Sequence, residues 1–252
     1  MLIAQISDTH ILAPASDHPA AQSRADGLRR CVADINRQHP DAVIFTGDTV
    51  QHGDPDEYAR LRALLAPLEA PLYLIPGNRD HKEALRTAFA GKSYLPGAGD
   101  FLHYTVEDHD VRLVALDSTL SGERQGVFCP ARIAWLDAVL SAQPNRPTLL
   151  FIHHPPFDID DHYIGGYSEP ADAAALTDVV SRHAQVARLL CGHVHCLVER
   201  DWASTRASVM PSNAADVRRR DGGTKVHDDP VYMLSWASDG AGVVADRPNK
   251  VP

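Results

Sequence analysis

Five short clusters of metal-ligating residue types punctuate the chain: Asp8-Thr9-His10, Gly47-Asp48, Gly77-Asn78-Arg79-Asp80, His153-His154 and Gly192-His193-Val194-His195. Imidazole, carboxylate and amide oxygen make a mixed N/O donor set that suits divalent Fe, Mn or Zn. Asp8 and His10 stand two residues apart, as do His193 and His195, so in an extended strand each pair would share one face. Asp48 has two carboxylate oxygens with which to bridge two ions, and Asn78 offers a neutral amide oxygen. A pair of ions about 3.5–4 Å apart clamps the attacking and leaving oxygens of a phosphoryl transfer and lowers the pKa of a bound water toward about 7. Such a site needs no protein nucleophile.

Each cluster follows an apolar run: LIAQIS, AVIFT, LYLIP, TLLFI and ARLLC. Short runs rich in Val, Ile and Leu are the signature of buried parallel strands, and open α/β sheets bind their ligands at the carboxyl ends of such strands. Five strand ends carrying Asp, Asn and His therefore point to one pocket. The rest of the pattern alternates. Strands are expected over 2–7, 42–46, 71–75, 148–153 and 187–191, with helices over 24–38, 55–66, 80–90, 130–142 and 171–183. Asp54-Pro55 supplies an N-cap and a first-turn proline for the second helix. A hairpin is expected over 101–107 and 111–116, and short strands within 196–238. The front half is βαβ-like, the back half is β-rich, and no composition break divides them. One domain over 1–240, built from two packed sheets flanked by helices, accounts for this order. Residues 241–252 read as a frayed tail.

Bulk properties exclude several classes. The chain has 252 residues, 44% of them hydrophobic and 23% charged, as in ordinary globular proteins. A net charge of −9 argues against a long nucleic-acid groove, which needs a basic stripe. It leaves room for a small phosphate substrate, because metal ions bring their own positive charge. No stretch approaches the roughly 20 apolar residues of a membrane span, and the N-terminus runs straight into the first strand. The chain reads as cytoplasmic, with its four cysteines (31, 129, 191 and 196) as reduced thiols. Arg218–Asp229 reads as an exposed loop.

In order, DTH, GD, GNRD, HHPP and GHVH resemble the D-x-H, G-D, G-N-H-D, H-H-P and G-H-x-H series of calcineurin-like metallophosphoesterases. The spacing and the HHPP form are most similar to the bacterial branch of class III cyclic nucleotide phosphodiesterases and glycerophosphodiesterases. The resemblance spans roughly residues 1–215 and includes the stretches HGDPDEY and MPSNAADV. It implies an α/β fold, a four-layer sandwich of two mixed β-sheets flanked by helices. It implies that Asp8, His10, Asp48 and His195 hold a first metal, and that Asp48, Asn78, His153 and His193 hold a second. His153, rather than His154, matches the family ligand. The implied activity is hydrolysis of a small phosphodiester, a 3′,5′-cyclic nucleotide or a glycerophosphodiester, by a hydroxide bridging the two metals. A broad phosphomonoesterase is the alternative, and a non-catalytic interaction module that keeps the fold is a third reading. A homodimer or higher assembly, with the β-rich C-terminal residues in contact, is also implied.

One position departs from the pattern. Arg79 stands where the third motif normally has histidine. Arginine stabilises negative charge with a planar fork of donors but gives up no proton near neutral pH. Arg79 is therefore expected to act electrostatically, in a catalytic set with Asn78 and Asp80. General-acid help would come from water, His81 or His52. Arg79, His81 and His162, with Tyr163 and Tyr167 of the loop after HHPP, are the candidate substrate contacts.

Overall fold

Two-residue alternation in the apolar runs sends successive side chains into different cores. In β1 (Leu2–Ile6), Ile3 faces one cluster while Ala4 and Ile6 face another; in β2 (Ala42–Phe45), Ala42 and Ile44 alternate with Val43 and Phe45 in the same way. β3 (Leu72–Leu74) repeats the pattern. Buried on both faces, these three strands pair in parallel. The computed structural model describes residues 1–159, 166–218, 229–238 and 242–251.

The remaining elements follow in chain order. The helices are α1 (Ala21–Gln38), α2 (Pro55–Leu65), α3 (Lys82–Ala88), α4 (Pro130–Ser141) and α5 (Pro170–Ser181). The further strands are β4 (Tyr104–Val106), β5 (Arg112–Leu116), β6 (Thr148–Ile152), β7 (Val186–Cys191), β8 (Val198–Trp202), β9 (Thr205–Val209), β10 (Val231–Ser238) and β11 (Gly242–Lys250). One sheet has the order β11-β10-β1-β2-β3, and the other β4-β5-β6-β7-β9-β8. Both are mixed: β10 is antiparallel to β1, whereas β5, β6, β7 and β9 run parallel between antiparallel β4 and β8.

The layers are those of the expected sandwich. Leu28, Val32 and Ile35 of α1, Leu61 of α2 and Leu85 of α3 cover the outer face of the first sheet. Leu136 and Leu140 of α4 and Leu176 and Val180 of α5 cover the second. Ile3, Ile44 and Tyr73 meet Leu113, Leu149 and Phe151 between the sheets. Full burial of each such aliphatic or aromatic side chain contributes about 1.5–3 kcal/mol before entropy is counted. Gln5 crosses the inter-sheet layer, donating its amide to Thr46 Oγ1 and to Cys191 O, both at 3.0 Å. That bond locks β1 to β7 just beneath the strand ends.

Residues 242–250, expected to fray, form β11 instead. Their order comes from pairing with β10 rather than from local propensity. Pro248 is accommodated because β11 is an edge strand. Asn249 Nδ2 adds bonds to Asp34 Oδ2 and the Tyr232 hydroxyl, which fasten the strand to α1.

Candidate metal centre

All five clusters emerge from strand ends at one edge of the sandwich. Asp8 and His10 follow β1, Asp48 follows β2, Asn78 follows β3, His153 follows β6, and His193 and His195 follow β7. The side chains do not converge by strand alternation, however. Asp8, His10, Asp48, His193 and His195 have φ of 53°, 46°, 47°, 72° and 61°. They are five of the seven non-glycine residues with positive φ among those described. Each such residue costs on the order of 1 kcal/mol or more, and such strain gathers where function demands it. The Asp-x-His and His-x-His pairs are thus set by left-handed turns past the strand ends, which corrects the shared-face expectation. Backbone bonds hold the turns: Asp8 N to Gly47 O at 3.0 Å and His10 N to Asp48 O at 3.1 Å.

Two groups of donors result. In the first, His10 Nε2 lies 3.2 Å from His195 Nε2, and His195 Nε2 lies 3.1 Å from Asp8 Oδ1. Asp48 Oδ2 is 3.8 Å from His10 Nε2, and one ligand atom from each of these four residues lies within 4.8 Å of the others. In the second, His153 Nε2 is 3.2 Å from Asn78 Oδ1 and 3.5 Å from Asp48 Oδ1. The His193 ring lies 5.0 Å from that of His153, centroid to centroid. Asp48 therefore turns one oxygen to each group, as a bridging carboxylate must.

The ring nitrogens facing away from these groups test whether metal fits. His153 Nδ1 pairs with Thr46 O at 2.7 Å, and His195 Nδ1 with Val217 O at 2.9 Å. A carbonyl partner requires a proton on Nδ1, which leaves the Nε2 lone pair free to ligate. Burial holds His10 down to about 3, so its ring is neutral. Burial works to raise Asp8, but His195 beside it, together with His153 and His10, outweighs burial and keeps the carboxyl well below the usual range. Burial pushes Asp48 up, with His153 opposing; a bound cation would reverse that shift. Against burial, Asp8 in turn raises His195 above its ordinary value, and a bound cation would reverse that shift as well. With that proton displaced, the set is the imidazoles and carboxylates that a divalent ion takes, so the donor set fits two such ions.

Neighbouring residues separate into clear roles. His154 also lies beside His153 and His193, but both its nitrogens are engaged, with Ser118 Oγ at 2.8 Å and Arg124 O at 3.1 Å. It braces the site. Asp80, expected in the catalytic set, accepts from Gly77 N at 2.9 Å, Thr49 N at 3.1 Å, Tyr58 OH at 3.1 Å and Thr49 Oγ1. Those bonds make it a tie between the Asp48 and Asn78 loops, with its carboxyl raised to about 6 by burial and then by Asp48. Arg79 donates its backbone N–H to Asp48 Oδ1 at 2.7 Å and leaves its side chain exposed. Tyr167 is buried with its hydroxyl on His154 O at 3.0 Å, so it supports the site rather than meeting substrate. His162 and Tyr163 lie outside the described residues.

A cavity of about 600 Å³ opens beside Asn78, walled by Arg79, His81, Lys82, Phe101 and Leu120. His81 Nδ1 caps α3 by accepting from Ala84 N at 3.4 Å. His52, also on the wall, pairs with Glu57 at 2.9 Å. Phe101, Leu120 and Lys82 carry no pattern that sequence reasoning could have picked out. Lys82 is anchored by buried Asp117, 2.7 Å away.

The fold and the paired donor groups define an α/β sandwich protein with a dimetal cradle at its strand ends. The Calcineurin-like phosphoesterase family matches residues 1–197, and the chain belongs to that family. It is 32% identical to the probable glycerophosphodiester phosphodiesterase GpdQ of Arcobacter nitrofigilis, a match covering 96% of this chain and 91% of that protein. It is 31% identical to the 3′,5′-cyclic adenosine monophosphate phosphodiesterase CpdA of Pseudomonas aeruginosa, over 84% of this chain and 76% of that one. Among solved structures, a dimetal phosphatase from Danio rerio superposes with a TM-score of 0.72 at 16% identity, covering 100% and 99% of the two chains. At that identity the likeness speaks for the fold alone.

Proposed function

We propose that the protein is a dinuclear-metal phosphodiesterase acting on a small phosphodiester, a 3′,5′-cyclic nucleotide or a glycerophosphodiester. The observation that carries this reading is Asp48, whose two oxygens face two separate donor groups. Asp8, His10, Asp48 and His195 hold the first ion, and Asp48, Asn78, His153 and His193 the second. When bound, the ions polarise the phosphoryl oxygens and supply an activated water. The chain's own residues do the rest. Thr46 and Val217 orient the ligand rings through their carbonyls. Asp80 sets the spacing of the two central loops, and Arg79 places a positive charge at the cavity mouth. The cavity, with Phe101 and Leu120 on its walls, takes the organic part of the diester, where Arg79 and His81 contact it. Fe, Mn and Zn all suit the donors.

The test is hydrolysis of bis(p-nitrophenyl) phosphate beside p-nitrophenyl phosphate, on metal-stripped protein and after adding Mn²⁺, Fe²⁺ or Zn²⁺. Metal-restored turnover of the diester, with little of the monoester, is expected. Preference for the monoester would favour the phosphatase reading, for which the exposed Arg79 side chain is the supporting observation. No turnover by metal-loaded protein would overturn both. A homodimer joined through the β-rich C-terminal strands, where Trp236 is exposed, belongs to the same proposal; a monomer by light scattering would refute it. Four free cysteines suit a reducing cytoplasm.

A further inference from the structure

The stretch MPSNAADV supplies none of the donor atoms, yet it lies against the first donor group. Ser212 Oγ donates to Asp8 O at 2.7 Å, Asn213 N to Ser7 O at 3.0 Å and Ala214 N to Asp8 O at 3.4 Å. Val217 O holds the His195 ring. Between these contacts, Asp216 accepts from Arg24 Nε at 3.0 Å and Nη2 at 2.7 Å. Arg24 projects from α1 and is 5% exposed. Its third nitrogen, Nη1, donates to His10 O and to Gln51 Oε1, both at 3.0 Å. One short segment thus reaches three of the four donors of the first group: Asp8 at its carbonyl, His195 at its ring, and His10 through Arg24. Asp8 and His10 need that grip, because both hold left-handed backbone that would otherwise relax.

We propose that Arg24 is a positioning residue for the first metal site, with Asp216 as its anchor. The guanidinium fork fixes the distance between the His10 backbone and the segment that orients His195. A lysine has a single point of attachment and cannot serve both sides. No bond joins Asn78 or His153 to Arg24 or Asp216 among the described residues, and the clamp meets the second site only through Asp48, bonded to His10, and His193, bonded to Asp8, so the second site depends on it less than the first. The inference rests on the ligand assignment of the dinuclear reading.

Mn²⁺ binding to metal-free protein, followed by calorimetry, tests it. Arg24→Lys and Asp216→Ala are each placed in two backgrounds: His153→Ala, where the first site reports alone, and His10→Ala, where the second does. Arg24→Lys should weaken the first site by about tenfold or more, the usual cost of losing a partner that orients a ligand. Asp216→Ala should give a smaller loss in the same direction, and both variants should weaken the second site less than the first. Unchanged first-site affinity, or equal weakening in both backgrounds, would overturn the proposal. If Arg24→Lys fails to fold, Asp216→Ala decides, because that side chain is 36% exposed. A parent protein that binds none of Mn²⁺, Fe²⁺ and Zn²⁺ would overturn the dinuclear reading itself; a parent that binds, with variants that match it, would overturn this inference alone.

Discussion

Gly77→Ala is the sharpest single perturbation of the centre. Gly77 does not use a positive φ, so the effect of a methyl group there is steric alone. A Cβ would stand 2.1 Å from Asp48 N, 2.3 Å from Asp48 Oδ1 and 2.8 Å from His153 Cε1. Ordinary contact begins at 3.4 Å, so the Asp48 turn would have to retreat by more than about 1 Å. It cannot retreat alone. His10 N is bonded to Asp48 O and Thr49 N to Asp80, so the shift passes to the first donor group. A misplacement of about 1 Å at a reacting centre costs on the order of 10²-fold in rate, and overpacking costs about 1–3 kcal/mol. At roughly 2–4 °C per kcal/mol for a chain of this size, metal-free Gly77→Ala should melt between a few and about 10 °C below the parent. The assay is aryl diester turnover with bound metal counted by atomic absorption. Gly91→Ala is the control, because nothing lies within 4 Å of a Cβ there. Parental turnover and two bound ions in Gly77→Ala would refute the claim that this close approach builds the bridge.

Arg79→Met should keep two metals but lower turnover of diesters with poor leaving groups about tenfold, the modest end of losing a charge-stabilising donor because this side chain meets water; equal rates on alkyl and aryl diesters before and after the change would show that the guanidinium points away. His154→Gln should also retain both metals, since each ring nitrogen already has a protein partner; loss of one ion by atomic absorption would make His154 a ligand. Asp117→Asn should cost about 3 kcal/mol by leaving Lys82 without its buried partner, measured by urea unfolding. Burial works to raise the Asp117 carboxyl, but Lys82 and the bonds from Thr119 and Leu102 hold it below its ordinary 3.8. A depressed folded pKa adds stability that is complete above the unfolded value and disappears as pH falls through the folded one. The gap between parent and variant should therefore narrow below about pH 4, and a gap that instead widened with acid would contradict the sign.

The residues that the structure brings together at the centre were legible because each follows a strand and each is of a particular residue type. An apolar run ending in Asp, Asn or His marks such a position without reference to anything distant. The left-handed turns at Asp8, His10, Asp48, His193 and His195 were not legible, because what holds them is contact between loops far apart in the chain, such as Asp8 with His193. The spacing suggested a shared strand face, and the tertiary contacts replaced that geometry with another that also converges. β11 was hidden for the same reason: a segment with Asp, Arg and Pro reads as a tail until β10 lies beside it. Arg24 carries no such local signal, since its carboxylate partner is 192 residues away.

The supports of the centre differ from the ligands in a further way. His153 and His195 are oriented by the carbonyls of Thr46 and Val217, and every residue type has a carbonyl. No pattern of side chains can announce such a contact, because what it specifies is a backbone position. The first site should accordingly be sensitive to anything that moves residues 212–217 and indifferent to the side chain at the end of that segment. Val217→Ala keeps the carbonyl where Ser212, Ala214 and the Arg24–Asp216 pair place it. Its Mn²⁺ affinity, measured in the His153→Ala background, should match the parent's, while Asp216→Ala in the same background falls. Equal losses in the two variants would mean that packing of this segment, rather than the aim of its carbonyl, sets the ligand geometry.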